Sequence, residues 1–120
     1  MFNNISIRLS IGKGRGVFAN RSFYKNEIID TSYSWEITPT DIELYEKTSI
    51  GGYWFEHPDK IHHGLIPLGS AALVNHSTDP NANLVWENTD IGYIGKLFAV
   101  LDIVQDQEIF INYGFDIHYN

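Results

Sequence analysis

The chain has no cysteine, one methionine and four prolines, and its eight lysine and arginine residues are outnumbered by fifteen acidic ones. Without cysteine there is no disulfide framework, no thiolate nucleophile and no cysteine-ligated zinc, and a reducing compartment is compatible. The formal net charge of -7 disfavours direct binding to nucleic-acid backbones, which calls for a basic stripe. The same field favours encounter with a lysine- and arginine-rich protein. No apolar run approaches the ~20 residues of a membrane span, and Met1-Phe2-Asn3-Asn4 supplies no basic, then apolar, leader. The expectation is a soluble intracellular protein without membrane contact.

What is present is a folding composition. With 43% hydrophobic and 14% aromatic residues over 120 positions, the chain fits one domain, able to bury roughly two-thirds of its unfolded surface. Most of it reads as short strands. Ile5, Ile7 and Leu9 alternate with Ser6, Arg8 and Ser10, the pattern of a half-buried strand. Gly12-Lys13-Gly14-Arg15-Gly16 follows, a glycine turn that suits a tight hairpin or a ligand-facing loop. As a phosphate loop it lacks both the Lys-Ser/Thr ending and a following helix.

Residues 20–26 are polar and turn-like, and Glu27 to Trp35 forms a strand with Tyr33 and Trp35 on one face. Thr38-Pro39-Thr40-Asp41 starts a short helix reaching to Lys47. Gly51-Gly52 then breaks the chain before Tyr53-Trp54-Phe55, an aromatic strand suited to core packing or to a pocket wall. Glu56 to His63 gathers His57, His62 and His63 beside carboxylates. Pro58 and the lack of helical two-histidine spacing make it a solvated loop rather than a hydrolytic zinc motif. Gly64 to Ser70 reads as a turn. Leu84-Val85-Trp86 and Tyr93 to Val100 read as strands joined by a polar turn over residues 87–90. A last strand, Glu108 to Asp116, places Ile109, Ile111 and Tyr113 on one face and Phe110, Asn112 and Gly114 on the other. These elements predict a mainly β single domain.

Between them lies Leu73-Val74-Asn75-His76-Ser77-Thr78-Asp79-Pro80-Asn81, a polar group set between apolar runs. Its amide and hydroxyl side chains suit an Asx-type turn, or a site held inside the core. His76 is also a candidate general base, though no serine-acid arrangement supports hydrolysis.

Gly14-Arg15-Gly16-Val17-Phe18-Ala19, then Asn75-His76-Ser77 with Pro80-Asn81, then Glu108 to Gly114 stand in an order that resembles the SET domain of protein lysine methyltransferases. The resemblance covers nearly the whole chain and is greatest to minimal stand-alone SET proteins of large viruses and some bacteria. It implies small curved sheets with few short helices and a C-terminal pseudoknot, over residues 1–120 as a single SET domain without cysteine-rich flanking modules. It implies S-adenosylmethionine as cofactor, contacted by backbone around Lys13, Gly14 and Arg15 and by Asn75 and His76, with Tyr53 as a further aromatic on the cofactor side or in the channel. Tyr113 matches the active-site tyrosine. Asn112 and Phe115 fall beside the lysine channel, and Leu84 falls near the position that governs how many methyls are added.

The implied activity is protein lysine N-methylation of a basic protein or peptide, with histone tails as one such substrate, in the cytoplasm or in a host nucleus. No metal is needed, and small relatives include homodimers. Two other readings are a non-catalytic SET-like module that binds peptide or cofactor, and a metal-binding protein centred on His57, His62 and His63.

Overall fold

In a computed structural model, residues 4–114 are described, as two curved sheets with their ends meeting around one core. The first sheet has the order β1-β2-β9-β6, built from β1 (Ile5–Ser10), β2 (Gly14–Ala19), β9 (Glu108–Ile111) and β6 (Asn75–His76). The second has the order β4-β5-β3-β8-β7, from β4 (Phe55–Glu56), β5 (Gly64–Leu68), β3 (Ile28–Ile37), β8 (Gly92–Ala99) and β7 (Ala82–Thr89). One helix, α1 (Pro39–Tyr45), and a 3-10 turn at Ser70–Leu73 complete the described elements.

The core is aliphatic and joins both sheets. Ile5, Val17, Ala19, Ile29, Val74, Leu97, Ile109 and Ile111 are buried in one cluster, with Phe55, Leu73, Leu84 and Tyr113 packed half-buried against it. Ile109 and Ile111 face inward as their alternation requires. Burying each such side chain contributes about 2 kcal/mol. Helix α1 starts where expected: Thr38 accepts from Asp41 N while Asp41 accepts from Thr38 N, a reciprocal cap, with Pro39 in the first turn. It ends at Tyr45, short of Lys47, and buries no residue.

Five expectations are corrected. Only Ile5 of the Ile5, Ile7, Leu9 set is buried, while Leu9 is 88% exposed and Ser10 is the buried residue at the strand's end. Ser10 goes inside because its hydroxyl donates to Glu108 Oε1 at 2.7 Å. Residues 20–26 are not all turn: Phe23 enters the core and bridges Ile103. The aromatic strand contracts to Phe55–Glu56. Gly64–Leu68 is a strand rather than a turn; β4 pairs only with Gly64 and Leu65, so Pro67 sits where its missing N–H costs little. Finally, β7 runs on through Glu87, Asn88 and Thr89 in unbroken register with β8, leaving only Asp90-Ile91 as the turn. Polar residues persist there because one face of that strand is solvated.

Candidate active site

The site forms where β9 inserts between β2 and β6. β2 pairs antiparallel with β9, and β6 pairs parallel with it, with Asn75 opposite Phe110 and His76 opposite Ile111. Residues more than thirty positions apart thereby become neighbours. Asn81 completes the insertion: its side chain donates to Glu108 O at 2.9 Å and accepts from Phe110 N at 2.8 Å, standing in for a strand partner. Ser77 adds a local turn, its hydroxyl accepting from Asp79 N at 3.0 Å. The Asx-like reading and the buried-site reading of this segment both hold, in adjacent residues.

Glu108 is the hinge of the polar network, and its part was not read from the sequence. One carboxylate oxygen accepts from Ser10 Oγ, and the other accepts from Asn75 Nδ2 at 2.8 Å. The same amide donates to Arg15 O at 2.9 Å, tying the β1–β2 hairpin to β6. Both amide hydrogens of Asn75 are thus committed to the protein. Gly16 lies against this joint: a Cβ there would meet Glu108 Oε2 at 2.3 Å and Asn75 Nδ2 at 2.8 Å. The glycine spacing signalled close approach, but its target was an internal carboxylate. Gly12 and Gly14, at φ +79° and +81° with open space where a side chain would project, face outward, and of the two Gly14 lines the groove beside this joint.

Tyr113 closes the other end. Its backbone N–H donates to His76 Nδ1 at 2.9 Å, its hydroxyl donates to Val74 O, and its ring stands 5.1 Å from the His76 ring and 5.9 Å, edge-on, from that of Phe55. Burial, and then the neighbouring Tyr53, push the Tyr113 hydroxyl above its ordinary pKa. The phenol therefore stays protonated at neutral pH. With Nδ1 accepting, neutral His76 carries its proton on Nε2. His76 here orients Tyr113, which takes up the lone pair that a general base would need at Nδ1.

These groups line a groove of about 1310 Å³. Lys13, Gly14, Arg15, Tyr53, Asn75, Leu84, Asn112 and Tyr113 all contribute to it. Of the remaining expected site residues, His76 abuts it through Tyr113, and Phe115 lies outside the described residues. Asn112 is exposed and caps the turn at Gly114, accepting from Gly114 N at 2.7 Å. Trp54, Phe55 and Trp86 add an aromatic wall, with Phe55 and Trp86 rings 6.3 Å apart. The 53–55 segment therefore serves as a pocket wall more than as a core strand. Charge is divided along the groove, with Lys13 and Arg15 on the hairpin and Glu46 and Glu56 on the α1–β4 side.

The histidine segment stands apart. His57 is no solvated residue: its side chain is fully buried, with Nδ1 accepting from Asp59 N and Lys60 N at 3.0 Å each. It shapes its own loop. His62 is exposed, at φ +67°. No group of three or more histidine, cysteine or acidic residues among the described ones is arranged to hold a metal ion.

Fold and groove together define a SET domain, and residues 14–114 match the SET domain family. The chain belongs to that family. It is 29% identical to the Drosophila melanogaster Histone-lysine N-methyltransferase trr over 96% of its own length, and spans 5% of the length of that relative. A solved Plasmodium falciparum structure, provisionally named a histone methyltransferase, shares 30% identity at a TM-score of 0.73, covering 92% of this chain and 93% of that one. The Chaetomium thermophilum Polycomb Repressive Complex 2, solved in an autoinhibited conformation bound to S-adenosylmethionine, matches in fold at a TM-score of 0.77 and 20% identity, over 92% of this chain and 15% of that one.

Proposed function

We propose that this chain is a protein-lysine N-methyltransferase that uses S-adenosylmethionine and acts on an exposed lysine of a basic protein, histone tails being the first class to test. The observation that carries the reading is the parallel pairing of β6 with β9, which sets Asn75 and Tyr113 along one groove with His76 behind Tyr113. The residues present fit the cofactor. Lys13 and Arg15 supply cations for a carboxylate, and Asn75, its amide hydrogens spent, offers Oδ1 to an ammonium group. Gly14 leaves backbone open to close approach. When bound, S-adenosylmethionine supplies a methyl on a sulfonium, electrophilic towards a neutral amine.

The protein's own task is alignment and exclusion of water. A lysine must lose its proton, against an ordinary pKa of about 10.4, and the aromatic and aliphatic walls of Phe55, Leu84 and Trp86 disfavour its charged form by desolvation. Tyr113 orients the amine. Its raised pKa and its donation to Val74 O make it a fixed dipole rather than a base, so the lysine proton leaves to water. Leu84, half-buried in the groove wall, leaves room beside the amine that an aromatic residue would fill.

The decisive experiment incubates the protein with labelled S-adenosylmethionine and a panel of basic proteins, alongside Tyr113→Phe. Label transfer should fall about 100-fold in the variant, with cofactor affinity by calorimetry little changed. Undiminished transfer would remove Tyr113 from the mechanism, and absence of cofactor binding would favour a non-catalytic binding module.

Residues 14–114 act in this reading as one SET domain, inside the cell, in cytoplasm or nucleus. No helix among the described residues is long and apolar enough to cross a membrane. Tyr33, Trp35, Leu68 and Val85 leave large apolar side chains exposed on the second sheet. Such a patch supports self-association into a homodimer, which light scattering reads directly.

A further inference from the structure

Asn75, Asn83 and Asn112 all line the groove, and their internal bonds turn their carboxamides in different senses. Asn75 has both hydrogens spent, on Arg15 O and on Glu108, and presents its oxygen. Asn83 and Asn112 have their oxygens spent instead, accepting from Leu84 N at 2.9 Å and from Gly114 N at 2.7 Å. Because each partner is an N–H group, the oxygen is fixed in place and the NH2 lies on the other side. We propose that Asn83 and Asn112 are positioning residues that donate to two main-chain carbonyls of the substrate segment carrying the target lysine. The inference deepens the methyltransferase reading and rests on it for the identity of the occupant.

The protein itself leaves both donors over. No hydrogen bond within the described residues takes the NH2 of Asn83 or of Asn112, and both residues are exposed. Asn83 sits on β7, an edge of its sheet among the described residues. An edge strand keeps a row of backbone groups with no neighbour. At Leu84 the Asn83 carboxamide fills that place: its oxygen accepts as the carbonyl of a next strand would, and its NH2 carries the donor one step further out. Asn112 is held by the turn at Gly114, where φ is +82°. Each carboxamide is oriented before a ligand arrives, which lowers the cost of ordering it on binding.

Their neighbours in the chain indicate what the donors face. Leu84 is a wall of the lysine space and Tyr113 orients the amine, so Asn83 and Asn112 border that space from two strands, β7 and the end of β9. The charged groups of the groove are unsuited to the task. Lys13 and Arg15 donate, but as cations they repel a basic substrate, and Glu46 and Glu56 only accept. A neutral NH2 suits a main-chain carbonyl, which every residue carries. Such a clamp aligns the lysine while the side chains around it remain free to vary.

The test replaces each asparagine with aspartate, which keeps an oxygen to accept from Leu84 N or Gly114 N and removes the NH2. Binding of a histone-tail peptide with a single lysine is read by fluorescence anisotropy, turnover as kcat and KM, and cofactor affinity by calorimetry. Asn83→Asp and Asn112→Asp should each weaken peptide binding roughly fivefold, the worth of one neutral hydrogen bond, and should raise KM more than they lower kcat. The unfolding midpoint and the cofactor affinity should stay level. The direction matters, because one more acidic group would by itself attract a basic peptide. In the native protein, replacing successive peptide bonds of the substrate by esters, which weakens one carbonyl acceptor at a time, should reveal two sensitive positions. Each aspartate variant should lose the sensitivity at one of them. Peptide affinity that stays level or rises in both variants, or a loss that falls on the cofactor instead, would overturn the clamp and leave the catalytic reading intact. Ester-sensitive binding without label transfer would support the clamp and overturn the catalytic reading. A native protein that neither binds the peptide nor transfers label would overturn both.

Discussion

The two sides of the groove are built on different principles. On the β1-β2-β9-β6 side, polar groups sit inside the protein and are bound to one another: Ser10, Glu108, Asn75, Arg15 O and Asn81 form a connected set with no bond longer than 2.9 Å. On the other side, Tyr53, Trp54, Phe55, Leu84 and Trp86 present rings and an aliphatic chain, with the ring contacts at 5.9 Å and 6.3 Å. Hydrogen bonds are directional and costly to leave unmade, whereas aromatic walls tolerate exchange of shape. The polar side suits a ligand that never varies, and the aromatic side one that does.

The difference is most sharply tested at Gly16. Gly16→Ala would drive a Cβ into Glu108 and Asn75 and should cost on the order of 3 kcal/mol in urea unfolding, with cofactor binding lost. Gly52→Ala is its counterpart on the aromatic side, with nothing within 4 Å, and should stay within about 0.5 kcal/mol. Equal effects at both glycines would break the comparison. Glu108→Ala comes next: it strands the Asn75 amide and the Ser10 hydroxyl at about 2–3 kcal/mol, with Glu108→Gln recovering part. On the aromatic side, Leu84→Tyr should leave the unfolding midpoint nearly unchanged, yet lower the highest methylation state seen by mass spectrometry, because it fills groove volume. A variant that instead unfolds would show the aromatic wall to be as intolerant as the polar one.

How much of this was legible in the sequence differs between the sides. Alternation gave β1, β3, β8 and β9, and the cap Thr38-Pro39-Thr40-Asp41 gave α1, because these signals are local. Locally, Lys13 to Arg15 read as a possible ligand-facing loop and Asn75 as part of a possible core site; that they share one groove with Tyr113 was implied only by the resemblance, since nothing local reveals that β6 will lie parallel to β9. Glu108 was legible only as the first residue of a resembling strand, not as the centre of a network, because that role comes from Ser10 and Asn75, 98 and 33 positions away. Burial of His57 was hidden for the opposite reason. Histidine beside proline and aspartate reads as loop, but here its ring caps that loop from inside and faces the Tyr93 ring at 4.5 Å.

The smallest effect lies at that loop, and it tests whether the substrate side carries any directional bond of its own. The Tyr93 hydroxyl donates to Asp59, and this bond to a carboxylate pushes the Tyr93 pKa up to about 12. The unfolded chain would release that proton near pH 10. The folded state therefore holds it more tightly, so the contribution to stability is complete below about pH 10 and is lost as pH rises towards 12. Tyrosinate absorbance, taken as the difference between the native protein and Tyr93→Phe, should show this late titration. Asp59→Asn should return it towards 10, with little change in stability at neutral pH, because the pair is solvated. A Tyr93 that titrates normally beside an intact Asp59 would mean that the bond does not persist in solution. The loop would then owe its shape to His57 and to the Lys60–Glu36 ion pair.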